Sequence, residues 1–419
     1  MRIAFVIQRY GELIVGGSEY HCRLLVEHLA KYFEIEVLTT CAKEYITWKN
    51  EFSSGIEYIN GIKVRRFLND FERGDEFHKL YLKILGGITP DQFNAHYKMV
   101  ISSIKKTSEK DQLECIKLQG PYSSNLFDYL ESHGADYDFF VFFTYLYPTT
   151  VFGISKVSPD KVILIPTAHD EPIIYFDIFQ EIFNIPRAII YNTDDEMKFI
   201  NSMFNNEQIA YEIAGMGVDA PEILDPRNFI DRYNINGEFV LYIGRIDEAK
   251  GCKELIQYFL KYKEETRSNI KLVLIGKLAM EIPRHEDLIF VGFLSEKDKF
   301  DGIGASQLLI MPSLFESFSI VIMESWLCNK PVLVNGRCEV LRGHAIKSNG
   351  GIWYQDYDEF KDCLTLLLSS SKLRDKMGIN GNRYVKNAYT WPIIEKKCLR
   401  LIDKILLDKG HDQHLCDVH

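Results

Sequence analysis

Two carboxylates, Glu316 and Glu324, are separated by seven residues in Glu316-Ser317-Phe318-Ser319-Ile320-Val321-Ile322-Met323-Glu324, just after the apolar run Leu308-Leu309-Ile310-Met311-Pro312. An apolar strand that ends in a short loop and feeds a helix leaves the first helical N–H groups unpaired and aimed outward. That is a seat for a phosphate. A carboxylate just ahead of the seat can address a sugar, and a second about two turns into the helix can reach a ribose held behind the phosphates. Acids repel phosphate, so the pair makes chemical sense where each binds hydroxyls while amides and a cation hold the charge. Taken alone, the spacing suits an amphipathic helix with two exposed acids at least as well.

The cations stand upstream, in Phe239-Val240-Leu241-Tyr242-Ile243-Gly244-Arg245-Ile246-Asp247-Glu248-Ala249-Lys250-Gly251. An apolar strand ends at Gly-Arg, and Lys250 precedes a glycine and a helical pattern over 252–262. Both charges therefore fall at the carboxyl edge of a sheet, where open α/β sheets bind ligands. Arginine forks onto phosphate oxygens and lysine adds a compact charge, each such bond contributing about 1.5–3 kcal/mol. The alternative is a loop salt bridge from Arg245 to Asp247 or Glu248.

Together these segments resemble retaining glycosyltransferases of family 4, which have the two-domain GT-B fold. The resemblance rests on Glu-x7-Glu and on Arg245-x4-Lys250, which looks like the family's phosphate-binding pair. It implies that Glu316 faces the donor sugar, Glu324 the ribose, and Arg245 and Lys250 the diphosphate of a UDP- or GDP-sugar. The backbone of Ser317, Phe318 and Ser319 joins the donor seat, and Phe293 and Leu294 are counted with the donor-binding residues. The family usually has glycine at one or both of the positions of Ser317 and Ser319. Serine keeps the N–H but enters left-handed backbone less cheaply.

The first strand leads into Gln8-Arg9-Tyr10-Gly11-Glu12-Leu13-Ile14-Val15-Gly16-Gly17-Ser18-Glu19, which is not a dinucleotide fingerprint. Gly16 and Gly17 permit close backbone approach, and in similar glycosyltransferases this loop faces the donor diphosphate or the acceptor. Glu19 also suits the first turn of a helix. A further strand ends in Pro166-Thr167-Ala168-His169-Asp170-Glu171-Pro172, which looks like the family's active-site histidine loop. There His169 is expected to hydrogen-bond the donor sugar and shape the acceptor site. Family members are thought to use the leaving diphosphate as the base, so no protein nucleophile is required. No Asp-x-Asp pair ends a candidate strand, and the expected metal and cofactor complement is none.

Positioning these residues takes a chain of 419 residues, which is long for one core and predicts two domains. Hydrophobic residues make up 46% and charged residues 26%, and the net charge of −10 argues against nucleic acid as a partner. Nine cysteines show no CxxC pair and read as reduced thiols of a cytoplasmic protein. The N-terminus reads as a strand and not a signal peptide. No window reaches the roughly 20 apolar residues of a membrane span, so only peripheral contact with the inner face of a membrane is compatible.

Apolar strands alternate with helical patterns, the signature of doubly wound parallel sheets. Strands are expected at 2–7, 35–40, 62–67, 139–144, 162–167 and 188–191, then at 239–243, 271–275, 288–291, 308–311 and 331–334. The expected fold class is α/β, and the resemblance implies GT-B architecture: two Rossmann-like domains facing across a cleft and a C-terminal helix crossing back to the first. Residues 1–219 form the expected acceptor-binding domain, 220–390 the nucleotide-sugar domain, 391–408 the returning helix and 409–419 a tail. The linker is the turn-rich Gly215-Met216-Gly217-Val218-Asp219-Ala220-Pro221. Asp194-Asp195 starts a helix. Residues 69–136 are helical in pattern, and Gln119-Gly120-Pro121-Tyr122-Ser123-Ser124 resembles a segment of bacterial surface-polysaccharide members of the family. Phe127, Tyr129 and Leu130 could stack on acceptor sugars but at this spacing suit a helix core, while 142–148 could line an acceptor channel or close a buried strand. His411, His414, Cys416 and His419 have metal-like spacing but read as a flexible terminus.

The leading reading is a retaining, metal-independent glycosyltransferase moving a sugar to a glycan or lipid-linked acceptor in polysaccharide synthesis. The alternatives are a GT-B sugar-nucleotide epimerase or hydrolase, and a silent nucleotide-sugar-binding subunit.

Overall fold

Strand order shows how the chain builds its carboxyl edges. The computed structural model describes residues 1–14 and 16–407. It divides into two units, one taking Met1–Met216 and returning at Ile394, the other Gly217–Ile393.

The first unit holds β1 (Arg2–Val6), β2 (Glu34–Thr40), β3 (Gly55–Ile59), β4 (Ile62–Phe67), β5 (Phe139–Phe143), β6 (Val162–Ile165), β7 (Ala188–Tyr191) and β8 (Ala210–Ile213). They form one sheet in the order β3-β4-β2-β1-β5-β6-β7-β8. The register pairs Ile3 with Ile35 on one side and with Phe139 on the other, both parallel. The chain moves outward from β1 through β2 to β4, and then restarts beside β1 at β5. This reversal makes the loops after β1 and β5 diverge and opens a crevice at the carboxyl edge. All five residues of β5, Phe-Phe-Val-Phe-Phe, are buried, as a strand covered on both faces requires.

The second unit repeats the plan with β9 (Phe239–Ile243), β10 (Lys271–Ile275), β11 (Leu288–Gly292), β12 (Leu309–Met311), β13 (Val332–Asn335) and β14 (Gly351–Tyr354). Their order is β11-β10-β9-β12-β13-β14. The reversal falls between β9 and β12, which touch in register at Leu241 and Leu309. The loops carrying Arg245, Lys250 and Glu316 are thus the two that diverge.

Three strands escape the apolar pattern. β3 runs antiparallel to β4 and is mostly exposed, joined to it by Asn60-Gly61 with both residues at positive φ, a hairpin turn. β8 and β14 are edge strands with partly exposed residues. β6 stops at Ile165, two residues before its expected end, because Thr167 turns the backbone left-handed with φ 49°. The helix expected over 252–262 continues through Cys252–Thr266.

Four helices of eight or more residues lie between β4 and β5: Asp75–Ile84, Tyr97–Ile104, Glu109–Gln119 and Ser124–Ser132. Phe127 and Leu130 belong to the core. Asp194 and Asp195 open the helix Asp194–Phe204. The final helix is Trp391–Leu407, and within the first unit its Glu395 carboxylate meets His28 Nδ1 at 2.8 Å and Lys31 Nζ at 2.6 Å. The expected tail at 409–419, with its histidines and Cys416, lies outside the described residues. Every cysteine among the described residues is a free thiol. Among them, no helix is long and apolar enough to cross a membrane.

Candidate active site

In the second unit, glycines set the loops before any charge acts. A Cβ on Gly276 would lie 1.8 Å from the Gly244 carbonyl oxygen, so the loops after β9 and β10 run backbone against backbone. Gly251 takes φ 76°, and a Cβ there would come within 2.4 Å of the Pro312 carbonyl oxygen. The start of helix Cys252–Thr266 is thereby pressed against the end of β12. Lys250, the residue before, is delivered to the Glu316 loop: its Nζ lies 2.8 Å from Glu316 Oε1.

Asp247 organises the other cation. One of its oxygens accepts the Lys250 backbone N–H at 2.8 Å and the second accepts from Arg245 Nε. Arg245 is therefore placed at the carboxyl edge and held by the loop salt bridge that the sequence left as its alternative. The two readings are compatible, because a guanidinium has five donors.

Ser319 stands at φ 67°, in the left-handed region, and caps the helix Ile320–Leu327 without a side-chain hydrogen bond. Serine thus adopts the conformation for which glycine is favoured, and its buried Oγ has no hydrogen-bond partner. The Phe318 ring before it packs edge-on to His344 and Tyr389, with centroids 5.6 and 5.1 Å away.

Glu324 corrects one expectation. It is the fifth residue of its helix and so lies about one turn in, not two. It is buried, and its partner is a residue the sequence reading did not single out: Lys299 Nζ lies 2.7 Å from Glu324 Oε1 and also 2.8 Å from Glu296. Burial pushes the Glu324 carboxyl above its usual value, and the Lys299 ammonium opposes the rise. Burial works to lower Lys299 in turn, but the Glu324 and Glu296 charges outweigh it and hold it above its ordinary value. Glu324 Oε2 is buried with no hydrogen-bond partner. One carboxylate oxygen is fixed by lysine and the other is an acceptor awaiting a donor. Glu316 and Glu324 thus each have a lysine of their own.

Phe293 and Leu294 follow β11 after Gly292, which takes φ 84°. Phe293 is 67% exposed and Leu294 half-buried. They lead to Ser295, whose hydroxyl caps the Lys299-bearing helix Glu296–Ala305 by accepting from the Asp298 N–H at 3.1 Å.

In the first unit, Gly16 has extended backbone, and its lack of a side chain makes room for a local ion pair: a Cβ would lie 2.1 Å from Glu19 Oε2 and 3.2 Å from Arg9 Nη2. Glu19 is buried, bound to Arg9 Nη2 at 2.6 Å and to the Gln8 amide at 3.1 Å. A Cβ on Gly17 would meet nothing within 4 Å. Of the two glycines, Gly17 is therefore the one open to an approaching group.

The His169 loop is anchored on its N-terminal side by Glu196. One Glu196 oxygen accepts the Ala168 N–H at 2.6 Å and the other the Asn192 N–H at 2.6 Å. Burial pushes this carboxyl up to about 8, against those N–H donors. His169 Nδ1 lies 3.5 Å from Glu171 Oε1, and that oxygen accepts from the Tyr145 hydroxyl at 2.9 Å. Asp170 accepts from the Tyr175 hydroxyl at 2.7 Å. The histidine's carboxylate neighbour is thus Glu171, two residues on, rather than Asp170. The signal that could have found Glu196 is Thr193-x-x-Glu196, a capping-box spacing, and Thr193 does cap the helix.

The two-sheet parallel architecture is that of GT-B glycosyltransferases. The Anabaena protein HepE, solved in complex with UDP-glucose, aligns over 96% of this chain and 100% of its own, with TM-score 0.67 and 15% identity. Sucrose-phosphate synthase from Thermosynechococcus elongatus aligns over 97% and 99%, with TM-score 0.66 and 13% identity. Within that class, residues 227–384, which carry Arg245, Lys250, Glu316 and Glu324, match the family model "Glycosyl transferases group 1". An uncharacterized glycosyltransferase of Methanocaldococcus jannaschii is 23% identical across 96% of this chain and 97% of its own. The capsular polysaccharide biosynthesis glycosyltransferase CapM of Staphylococcus aureus is 25% identical across 41% of this chain and 48% of its own.

Proposed function

We propose that this protein is a retaining, metal-independent glycosyltransferase of family 4 that moves a sugar from a nucleotide-diphosphate sugar to a glycan or lipid-linked acceptor, as in polysaccharide synthesis. The observation that carries the reading is the Lys250–Glu316 ion pair at 2.8 Å, formed where the sheet of the second unit reverses. With donor bound, the diphosphate takes the place of Glu316 on Lys250, Arg245 adds its guanidinium charge, and the backbone of residues 317–319 completes the seat. Glu316 is then released to hydrogen-bond the sugar, and Glu324 Oε2 accepts a ribose hydroxyl. Phe293 and Leu294 flank the base, and His169 keeps the role of hydrogen-bonding the donor sugar that the resemblance implies. Fixed charges and dipoles aimed at the leaving diphosphate stabilise the charge that develops there. UDP-glucose bound to HepE, and the role of CapM in capsular polysaccharide biosynthesis, support the choice of donor and pathway class.

Mass spectrometry of products from a panel of UDP- and GDP-sugars, followed by proton NMR of the first-formed product, tests this. The expected result is transfer with the donor's anomeric configuration, unchanged by EDTA. An inverted linkage, or loss in EDTA restored by magnesium or manganese, overturns the mechanism.

A further inference from the structure

The first unit carries a cation that the donor reading does not use. Arg73 follows β4, and its Nε donates to the Gln119 carbonyl at 2.6 Å. Its guanidinium lies over Trp48 and Phe77, with ring centroids 5.2 and 5.1 Å away. Trp48 is buried and donates its own indole N–H to the same carbonyl at 2.7 Å. Gly120 allows this arrangement, because a Cβ there would lie 2.7 Å from the indole. The arginine is thus fixed from three sides, yet it forms no ion pair with any described residue.

The neighbouring carboxylates are committed elsewhere. Glu44 accepts from the backbone N–H groups of Ile46, Thr47 and Trp48 and from the Thr47 hydroxyl. Glu19 is bound to Arg9, whose guanidinium lies over the same Trp48 ring at 5.6 Å. Arg73 is half-buried, and this partial burial pulls its guanidinium below its ordinary value, the mark of a partly desolvated cation without a matching anion. Such a group is costly until an anion reaches it. Tyr147, in the loop after β5, packs edge-on to Trp48 at 5.4 Å. Arg9, Trp48, Arg73 and Tyr147 therefore come from the loops after β1, β2, β4 and β5, four adjacent strands, at the edge where the sheet reverses.

We infer that Arg73 is an anion-binding residue of the first unit and that the molecule bound there carries a phosphate or carboxylate, with Tyr147 at hand for a sugar ring. Assigning that molecule as the acceptor rests on the glycosyltransferase reading above; the anion site itself does not. Calorimetric titration of the full chain with glucose 6-phosphate, glucuronate, inorganic phosphate and glucose tests it, with UDP and GDP titrated in parallel. Glucose 6-phosphate or glucuronate, whichever source of charge fits, is expected to bind at least about tenfold more tightly than glucose, as a charge-assisted fork requires. Arg73→Gln should remove that preference and leave nucleotide affinity unchanged. Arg73→Lys, which keeps the charge and loses the fork, should retain part of it and covers the case in which the glutamine variant melts early. Equal binding of the sugars, no binding by any anion, or wild-type anion affinity in Arg73→Gln overturns the inference. Failure of both UDP and GDP to bind would instead sink the donor reading and leave Arg73 standing.

Discussion

At the carboxyl edge of the second unit, Arg245 rests on Asp247, Lys250 on Glu316 and Lys299 on Glu324. In the first unit Arg9 has Glu19, but Arg73 has a carbonyl and two aromatic rings. The difference separates two ways of preparing a site for a charged ligand. A paired cation is held in place without substrate and exchanges one anion for another at small net cost. An unpaired, partly desolvated cation bears that cost until the ligand arrives. The first arrangement suits exchange and the second completion.

The largest break in this comparison is at Lys250. Lys250→Ala should lower kcat/KM about 10²–10³-fold, the size of loss seen when a preorganised charge stabiliser is removed. Glu316→Ala should act chiefly on kcat through the sugar, and Glu324→Ala chiefly on donor KM through the ribose. Because Lys250 and Glu316 share one contact, the double variant should fall short of the product of the single losses. Steady-state assays check the set, and full additivity would show that the ion pair has no part in donor binding.

A smaller break is at Lys299. Lys299→Met leaves a buried carboxyl that burial already pushes upward, with only the like charge of Glu296 acting on it. Glu324 then protonates more readily and loses its power as an acceptor for hydroxyls. Donor KM should rise about tenfold near neutral pH, a hydrogen bond's worth, and should fall again as pH increases through the displaced value. Lys299→Arg should restore most of the affinity. Inhibition by pyrophosphate, which has no ribose, should be the same in all three proteins. A lysine that merely supports the helix would weaken nucleotide and pyrophosphate alike.

Glu196 sharpens the contrast from the first unit, where a buried acid has backbone N–H donors in place of a cation. Its carboxyl is pushed from 4.5 to about 8 in the folded chain. Between those values the folded state holds a proton that the unfolded state has released, so this group's contribution to stability is lost as pH rises through the window. Urea denaturation at pH 5 and pH 8 should show that slope, and Glu196→Gln should flatten it at the expense of one orphaned N–H, about 1–3 kcal/mol.

The sequence carried the two-sheet plan because buried parallel strands such as 139–143 and 239–243 are apolar throughout. It did not carry β3, β8 and β14, whose residues are partly in solvent. The placement of Arg245, Lys250 and Glu316 in the loops after β9 and β12, and of Glu324 in the helix that follows, was legible because their spacings start from apolar strand ends. Lys299 and Arg73 were not, since nothing local marks them: Lys299 finds Glu324 across two helices, and Arg73 meets Trp48 and Gln119 through tertiary packing. Gly16 was legible as a place of close approach, but the group that approaches is Glu19 of the same chain.

The smallest expected effect concerns the loop of the second unit where serine takes a conformation that favours glycine. Ser319 holds φ 67°, a conformation that costs an L-residue about 1–2 kcal/mol. Its buried hydroxyl has no partner to offset this. Ser319→Gly relieves the backbone cost but adds about 0.5–1 kcal/mol of chain entropy, so the net gain should stay near or below about 1 kcal/mol, a rise in Tm of about 2–4 °C. Ser319→Ala keeps the backbone cost and removes only the hydroxyl, and should be less stable than the glycine variant. Both delete the hydroxyl while keeping the N–H, so transfer rates separate its roles. An equal loss in both variants assigns the serine hydroxyl to the donor phosphates, and a loss in alanine alone assigns the effect to loop shape. Alanine more stable than glycine, by thermal melts of the free protein, would remove the left-handed strain from the account.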